Sequence, residues 1–273
     1  MKRITYICSA VAALLLVNAC SAEKDAPQKS EQIDNKEVDK ANESKQEQND
    51  NSKENQDQQS NNDADLTEEE VLAAIKNQSH TQIPIVLPKK LPLKMDEHLT
   101  ATTKSDPSSF QVMFFTSTKP IPINNEKLKK KNSEAVPLVR LTVHKYNSEK
   151  EADEQIAYQD FSKIGGQKID LGHNIIGYQD AGAGSLWISW NEGRWSLTSH
   201  TQTSRSEDGE QLSRDAVEYL ETHTLPIPKP HGYVHVDATG MDNRILWQNG
   251  TTVYTLDQFN DPMSALIIAA MFE

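Results

Sequence analysis

Between Ser21 and Asp65 the chain holds only two large apolar side chains, Ile33 and Val38, and no aromatic residue. The rest is mostly Glu, Asp, Lys, Gln, Asn and Ser, a composition that cannot bury enough apolar surface to offset the entropy of ordering. The tract lacks the apolar stripe of a coiled coil and is predicted to be a disordered tether reaching roughly 40 Å on average. Any fold must therefore come from residues 66–273, about 200 residues and enough for one domain. Acidic residues outnumber basic ones by about two to one in the tether, and the whole chain carries a net charge of -12. That balance argues against a nucleic-acid partner and against adhesion of the domain itself to anionic lipid.

Ahead of the tether, Lys2 and Arg3 precede an apolar run, Ile7 to Val17, interrupted only by Ser9. This is the pattern of an export signal, and the run is well short of the ~20 residues needed to span a bilayer. Leu16-Val17-Asn18-Ala19-Cys20 resembles the lipobox of bacterial lipoproteins. The resemblance implies cleavage before Cys20 and a diacylglyceryl group on its sulfur. Residues 1–19 are then the signal peptide, and residues 20–65 the lipidated cysteine and tether. Residues 66–273 are a single globular domain on the outer face of the cell membrane, with membrane lipid as the first partner. Two acyl chains, at about 0.8 kcal/mol per buried methylene, make a stable anchor. The only other cysteine, Cys8, lies inside the signal, so the mature chain can form no internal disulfide and relies on its core.

Within the domain, Thr67 and Glu70 form a capping box for a helix ending near Asn77. Pro84, Pro88 and Pro92 punctuate an extended segment. Strand signals follow at 99–103, 110–117 and 136–146. Ser148 opens a helix expected to run to Gly165-Gly166. Strands are expected at 168–171 and 174–178, then a hairpin, 186–190 with 195–199, a helix from about Glu207 to Glu221, and a strand at 232–236. A second hairpin is centred on Asn249-Gly250, and Asp261 and Pro262 start a last helix.

The two hairpins read alike. Trp190-Asn191-Glu192-Gly193 leads to Trp195-Ser196-Leu197 and a helix, and Trp247-Gln248-Asn249-Gly250 leads to Tyr254-Thr255-Leu256 and a helix. The predicted fold class is α+β: a curved antiparallel sheet with helices packed on one face, the hairpin-plus-helix unit being a candidate repeat. Over residues 167–273 this pattern, with its Asp-Pro-started helix, resembles domains of poorly characterised lipoproteins and sporulation proteins of Gram-positive bacteria. Those are similar in outline to the lipoprotein-carrier fold. The resemblance implies no catalytic residue.

Side chains that could carry chemistry are few. Tyr233, His235 and Asp237 share one side of a strand with His231. His231 and His235, nearly twice ~6.6 Å apart along it, are too far apart to share a zinc ion without a bend. His144, His173 and His200 stand alone in sequence. The glycine-rich Ala181 to Ser185 reads as a turn, since no helix follows to present amides to phosphate, and no Gly-x-Ser-x-Gly elbow occurs. Asp180, Glu192 and Asp237 are carboxylates of the kind used in glycoside cleavage, with a separation that sequence does not give. Of the four tryptophans, Trp190, Trp195 and Trp247 are expected in the core. Trp187 points the other way and is the candidate ligand-binding residue, able to stack on a sugar or contact an apolar ligand. No metal site and no cofactor are expected. The function expected is non-catalytic binding of an envelope protein or cell-wall glycan, with a tethered cell-wall-acting hydrolase and a carrier of an apolar ligand as alternatives.

Overall fold

The computed structural model describes residues 66–78 and 81–272, so the signal, Cys20 and the tether lie outside the described residues. The first helix, α1 (Glu68–Gln78), is followed by β1 (His98–Ser105), β2 (Ser109–Ser117) and β3 (Val136–Lys145). Two short helices, α2 (Glu149–Asp153) and α3 (Phe161–Ile164), lead to β4 (Gln167–Asp170), β5 (Ile176–Gly182), β6 (Ser185–Glu192) and β7 (Trp195–Gln202). The chain ends with α4 (Ser206–Leu220), β8 (Gly232–Asp237), β9 (Arg244–Asn249), β10 (Thr252–Asp257) and α5 (Pro262–Ala269). All ten strands form one sheet, in the order β1-β2-β3-β10-β9-β8-β7-β6-β5-β4.

Local chemistry explains most of the element boundaries. The Thr67 N–H donates to Glu70 Oε2 (2.8 Å), and the Glu70 N–H donates to Thr67 Oγ1 (3.4 Å), closing the capping box of α1. Asp261 accepts the Ser264 N–H at 2.8 Å and sets the start of α5. In both tryptophan hairpins the loop is two residues long, Gly193-Arg194 and Gly250-Thr251. The first loop residue has φ 56° in one and 63° in the other. Positive φ at that position alone is the type II′ pattern, which glycine adopts without strain.

Two expectations need correction. The sheet is mixed, because β7 and β8 run parallel while the other eight pairings are antiparallel. A parallel pair needs a crossover, and α4 supplies it. Helices are also not confined to one face. α1, α4 and α5 cover the apolar face, against β1, against β6 and β7, and against β8 to β10. On the other face α2 and the turn after it bring Ala152 and Ile156 onto Leu246 and Val253, and α3 packs on β6. The helix expected from 148 to 164 is broken into these two pieces. Asn191 takes the backbone groups that a continuous helix would use internally. Its Oδ1 accepts the Phe161 N–H (2.9 Å), and its Nδ2 donates to the Gln159 carbonyl (2.8 Å).

The apolar face carries one contiguous core running from Leu99 and Phe114 at one edge to Ile188 and Trp190 near the other. Trp190, Trp195 and Trp247 are buried in it, Trp247 stacked on Tyr254 with centroids 5.0 Å apart. The Tyr254 hydroxyl donates to the Pro84 carbonyl (2.7 Å), pinning the proline-rich segment to the sheet. α4 approaches β7 closely through small residues: Ser199 and Ser213 place their hydroxyls 2.6 Å apart beside Gly209. No helix of the described residues is long and apolar enough to cross a membrane.

The parallel register sets Gly232 opposite Trp195. A Cβ on Gly232 would lie 2.4 Å from Trp195 Cε3, so the indole lies flat against bare backbone. Gly232→Ala is expected to destabilise the domain by about 1–3 kcal/mol through overpacking, read as a lowered urea midpoint. An unchanged midpoint would show that the indole is not seated there.

Candidate functional site

Side chains alternate across a strand, so each residue of β5 to β8 that turns away from the core joins a row running across four strands. One row is Asp180, Trp187, His200 and Asp237, and the next is Tyr178, Ser189, Thr198 and His235. The sequence shows β8 as a polar strand side holding Tyr233, His235 and Asp237. Only the parallel pairing of β7 with β8 shows that this side continues into His200 and Trp187. A platform of rings and hydroxyls results, covered in part by the short helix α3.

Its centre is a hydrogen-bonded His–Asp pair. His200 Nδ1 lies 2.6 Å from Asp237 Oδ2, and Asp237 is 5% exposed. Oδ1 of the same carboxylate accepts the Thr239 N–H (2.6 Å) and its hydroxyl, and the Asp237 N–H donates to Asn243 Oδ1 (2.8 Å). Burial pushes the Asp237 carboxyl upward, but the bonds from Thr239 and His200 outweigh it and hold the group below its ordinary value. With Asp237 held on all sides, the His200 ring has one orientation. Trp187, half-buried, sits beside that ring with centroids 5.4 Å apart, and His235 stacks at 6.2 Å. Burial lowers the pKa of His235, despite Asp242 and Asp237 nearby, and its Nδ1 lies 3.4 Å from the Tyr233 hydroxyl. Burial also raises the Tyr233 phenol, which therefore stays protonated and can donate.

The segment 157–165 forms the wall of a cleft along the platform, clipped down by Asn191 as above. The cleft encloses about 270 Å³ between Phe161, Ile164 and Gly165 on one side and Tyr178, Asp180, Trp187, Ser189, Thr198 and Tyr233 on the other. Ser189 and Thr198, paired neighbours on its floor, share a hydrogen bond (3.1 Å). Ile164 is 61% exposed, so the wall is apolar opposite a floor of hydroxyls and aromatic rings.

The structure distributes the remaining sequence candidates widely. His231 stacks on Tyr158 at 3.9 Å, with Nδ1 3.6 Å from Asp153, away from His200. His173 bonds Glu218 at 2.7 Å, and His144 tilts against Tyr146. Glu192 belongs to the opposite face of the sheet, where it accepts the Trp190 Nε1–H (2.7 Å). Asp180 and Asp237 end one row with backbones three interstrand steps apart, about 14 Å, wider than the ~5–9.5 Å between carboxyl groups in paired-carboxylate glycoside cleavage. Among the described residues no group of three or more His, Cys, Asp or Glu side chains is placed to hold a metal ion. His200 was not separable from the other solitary histidines by sequence, since its partner lies 37 positions away across a parallel pairing.

No family model matches the chain, and neither does any curated protein or solved structure compared with it.

The half-buried His235 sets a pH dependence. Because the folded-state pKa of His235 lies below its ordinary value of 6.5, the unfolded chain takes up the proton first. Its contribution to stability is full above that value and is lost as pH falls through the folded pKa. Asp237, also lowered, adds a further loss in the carboxylate range. His173, whose pKa is raised by its bond to Glu218, contributes in the opposite sense, so the prediction is a difference. Between pH 7.5 and 5.5 the melting temperature is expected to change more favourably in His235→Gln than in the wild type, and the same slope in both proteins would contradict this assignment.

Proposed function

We propose that the protein is a lipoprotein anchored by acylated Cys20 to the outer face of the cell membrane, and that its domain binds cell-wall glycan in the cleft along Trp187. The hairpin-plus-helix unit, present as β6-β7-α4 and as β9-β10-α5, is read as a duplicated module of a curved sheet, its first copy supplying the cleft. The observation that carries the binding reading is the chemistry of the two cleft walls. A pyranose ring has an apolar face that stacks on an indole and a rim of hydroxyls. Here the indole of Trp187 is braced by His200, while Asp180, Ser189, Thr198 and the Tyr233 hydroxyl stand around it. Phe161 and Ile164 offer contact for the methyl of an acetamido group, which favours an amino-sugar polymer. The tether would let the cleft search the wall near the membrane.

The His200–Asp237 pair favours a second reading, a tethered hydrolase in which His200 serves as general base. The two readings differ in product. Titration of soluble amino-sugar oligomers into the protein should show binding that Trp187→Ala weakens by about 1–2 kcal/mol, within the range for aromatic contacts. Mass spectrometry should find the oligomers intact afterwards. Equal affinity in Trp187→Ala would end the cleft reading, and cleaved oligomers would replace binding by hydrolysis. Radiolabelled palmitate should enter the wild type and be absent from Cys20→Ala, and equal labelling would remove the anchor.

A further inference from the structure

On the opposite face of the sheet, at the turn of the β6-β7 hairpin, a second cavity of about 380 Å³ lies between the hairpin, the end of α4 and the extended segment after it. Its walls are Trp195, Leu197, Leu220, Leu225, Pro226 and Ile227, an apolar slot. Glu192 is the carboxylate that lines it. One oxygen, Oε1, accepts the Trp190 Nε1–H, and the other has no hydrogen-bond or ion-pair partner among the described residues. Arg194, which also lines the slot, is turned aside, its Nη1 donating to the Pro228 carbonyl (3.0 Å). His223 sits at the rim with Nδ1 3.0 Å from the Tyr219 carbonyl and its ring stacked on Tyr219.

Apart from the Arg194 guanidinium, which is turned to the Pro228 carbonyl, the groups around the slot favour a cation. α4 ends here, and the carbonyl end of a helix favours cations. Glu221 adds a second negative charge, close enough to act on Glu192; burial, then repulsion from Glu221, raise the Glu192 carboxyl against the lowering effect of the Trp190 bond. A half-buried carboxylate without a cationic partner is costly, and a cation entering the slot would remove that cost. Apolar walls around the carboxylate require that the cation come on an apolar stem.

We propose that this slot is a receptor for a primary alkylammonium group, such as a lysine side chain presented by a partner peptide, with Glu192 as its counter-ion and hydrogen-bond acceptor and with Trp195, Leu197 and Leu225 around its methylenes. A quaternary ammonium could not donate the hydrogen bond that the free carboxylate oxygen invites. The inference is independent of glycan binding, because Trp187 and the cleft lie on the other side of the sheet.

The test uses the full chain in detergent micelles, with n-hexylamine, n-hexanol and Nα-acetyl-lysine methylamide as probes followed by tryptophan fluorescence and calorimetry. Both amines should bind at neutral pH and hexanol at least tenfold more weakly, a difference of ~1.4 kcal/mol. Glu192→Gln should lower amine affinity about tenfold or more, while its near-ultraviolet circular dichroism stays that of the wild type. Should that variant lose its fold, Ile227→Ser, at a wall position 72% exposed, keeps the test alive by weakening hexylamine through loss of the apolar wall without adding charge. Equal binding of amine and alcohol, or undiminished amine binding in a folded Glu192→Gln protein, would overturn the proposal.

Discussion

The parallel pairing of β7 with β8 is the interaction on which the rest of the molecule depends. It joins the run β4-β5-β6-β7 to the run β8-β9-β10-β3-β2-β1, each internally antiparallel. Without it there would be two separate sheets, each with an open edge that would itself seek a partner. The pairing is possible because Gly232 leaves room for the Trp195 indole, and because Gly209, Ser213 and Ser199 let the crossover helix lie close over β7. The same register that closes the core on one face lines up Trp187, His200 and Asp237 on the other.

The two faces of that sheet are used differently. One is filled by aromatic and branched side chains under three helices, and Tyr254 ties the proline-rich segment to it. The other carries two short helical pieces and leaves a strip of rings and hydroxyls accessible. A buried carboxylate under a partly exposed histidine has a folding cost, offset here by the two Thr239 bonds and the imidazole. The gain is positional, since the carboxylate fixes the imidazole and the imidazole braces the indole above it.

Much of this was legible in the sequence, because it is written in local chemistry. The capping boxes at Thr67 and Ser148, the Asp261 cap, the two glycine hairpins and the alternation in β3 all act over a few residues. The burial of Trp190, Trp195 and Trp247 followed from their sharing a strand face with aliphatic neighbours, as did the opposite orientation of Trp187. What sequence could not supply was pairing at a distance. His200 and Asp237 lie 37 residues apart in strands whose relative direction is set by a helix crossover. Nor does local periodicity show that Asn191 interrupts a helix some thirty residues earlier by taking its backbone bonds. Glu192 could be grouped by residue type with Asp180 and Asp237, and only the register shows that it faces the other way.

The most direct measurement is an amide NOESY spectrum of the deuterated domain, recording cross-strand contacts between Trp195–Gln202 and Gly232–Asp237. The account requires contacts in the parallel register Leu197–Val234 and Ser199–Val236, with slow hydrogen exchange at the Gly232 and Ala238 amides that bond Arg194 and His200. Antiparallel contacts, or amides of β7 and β8 exchanging as freely as an unpaired edge, would contradict it.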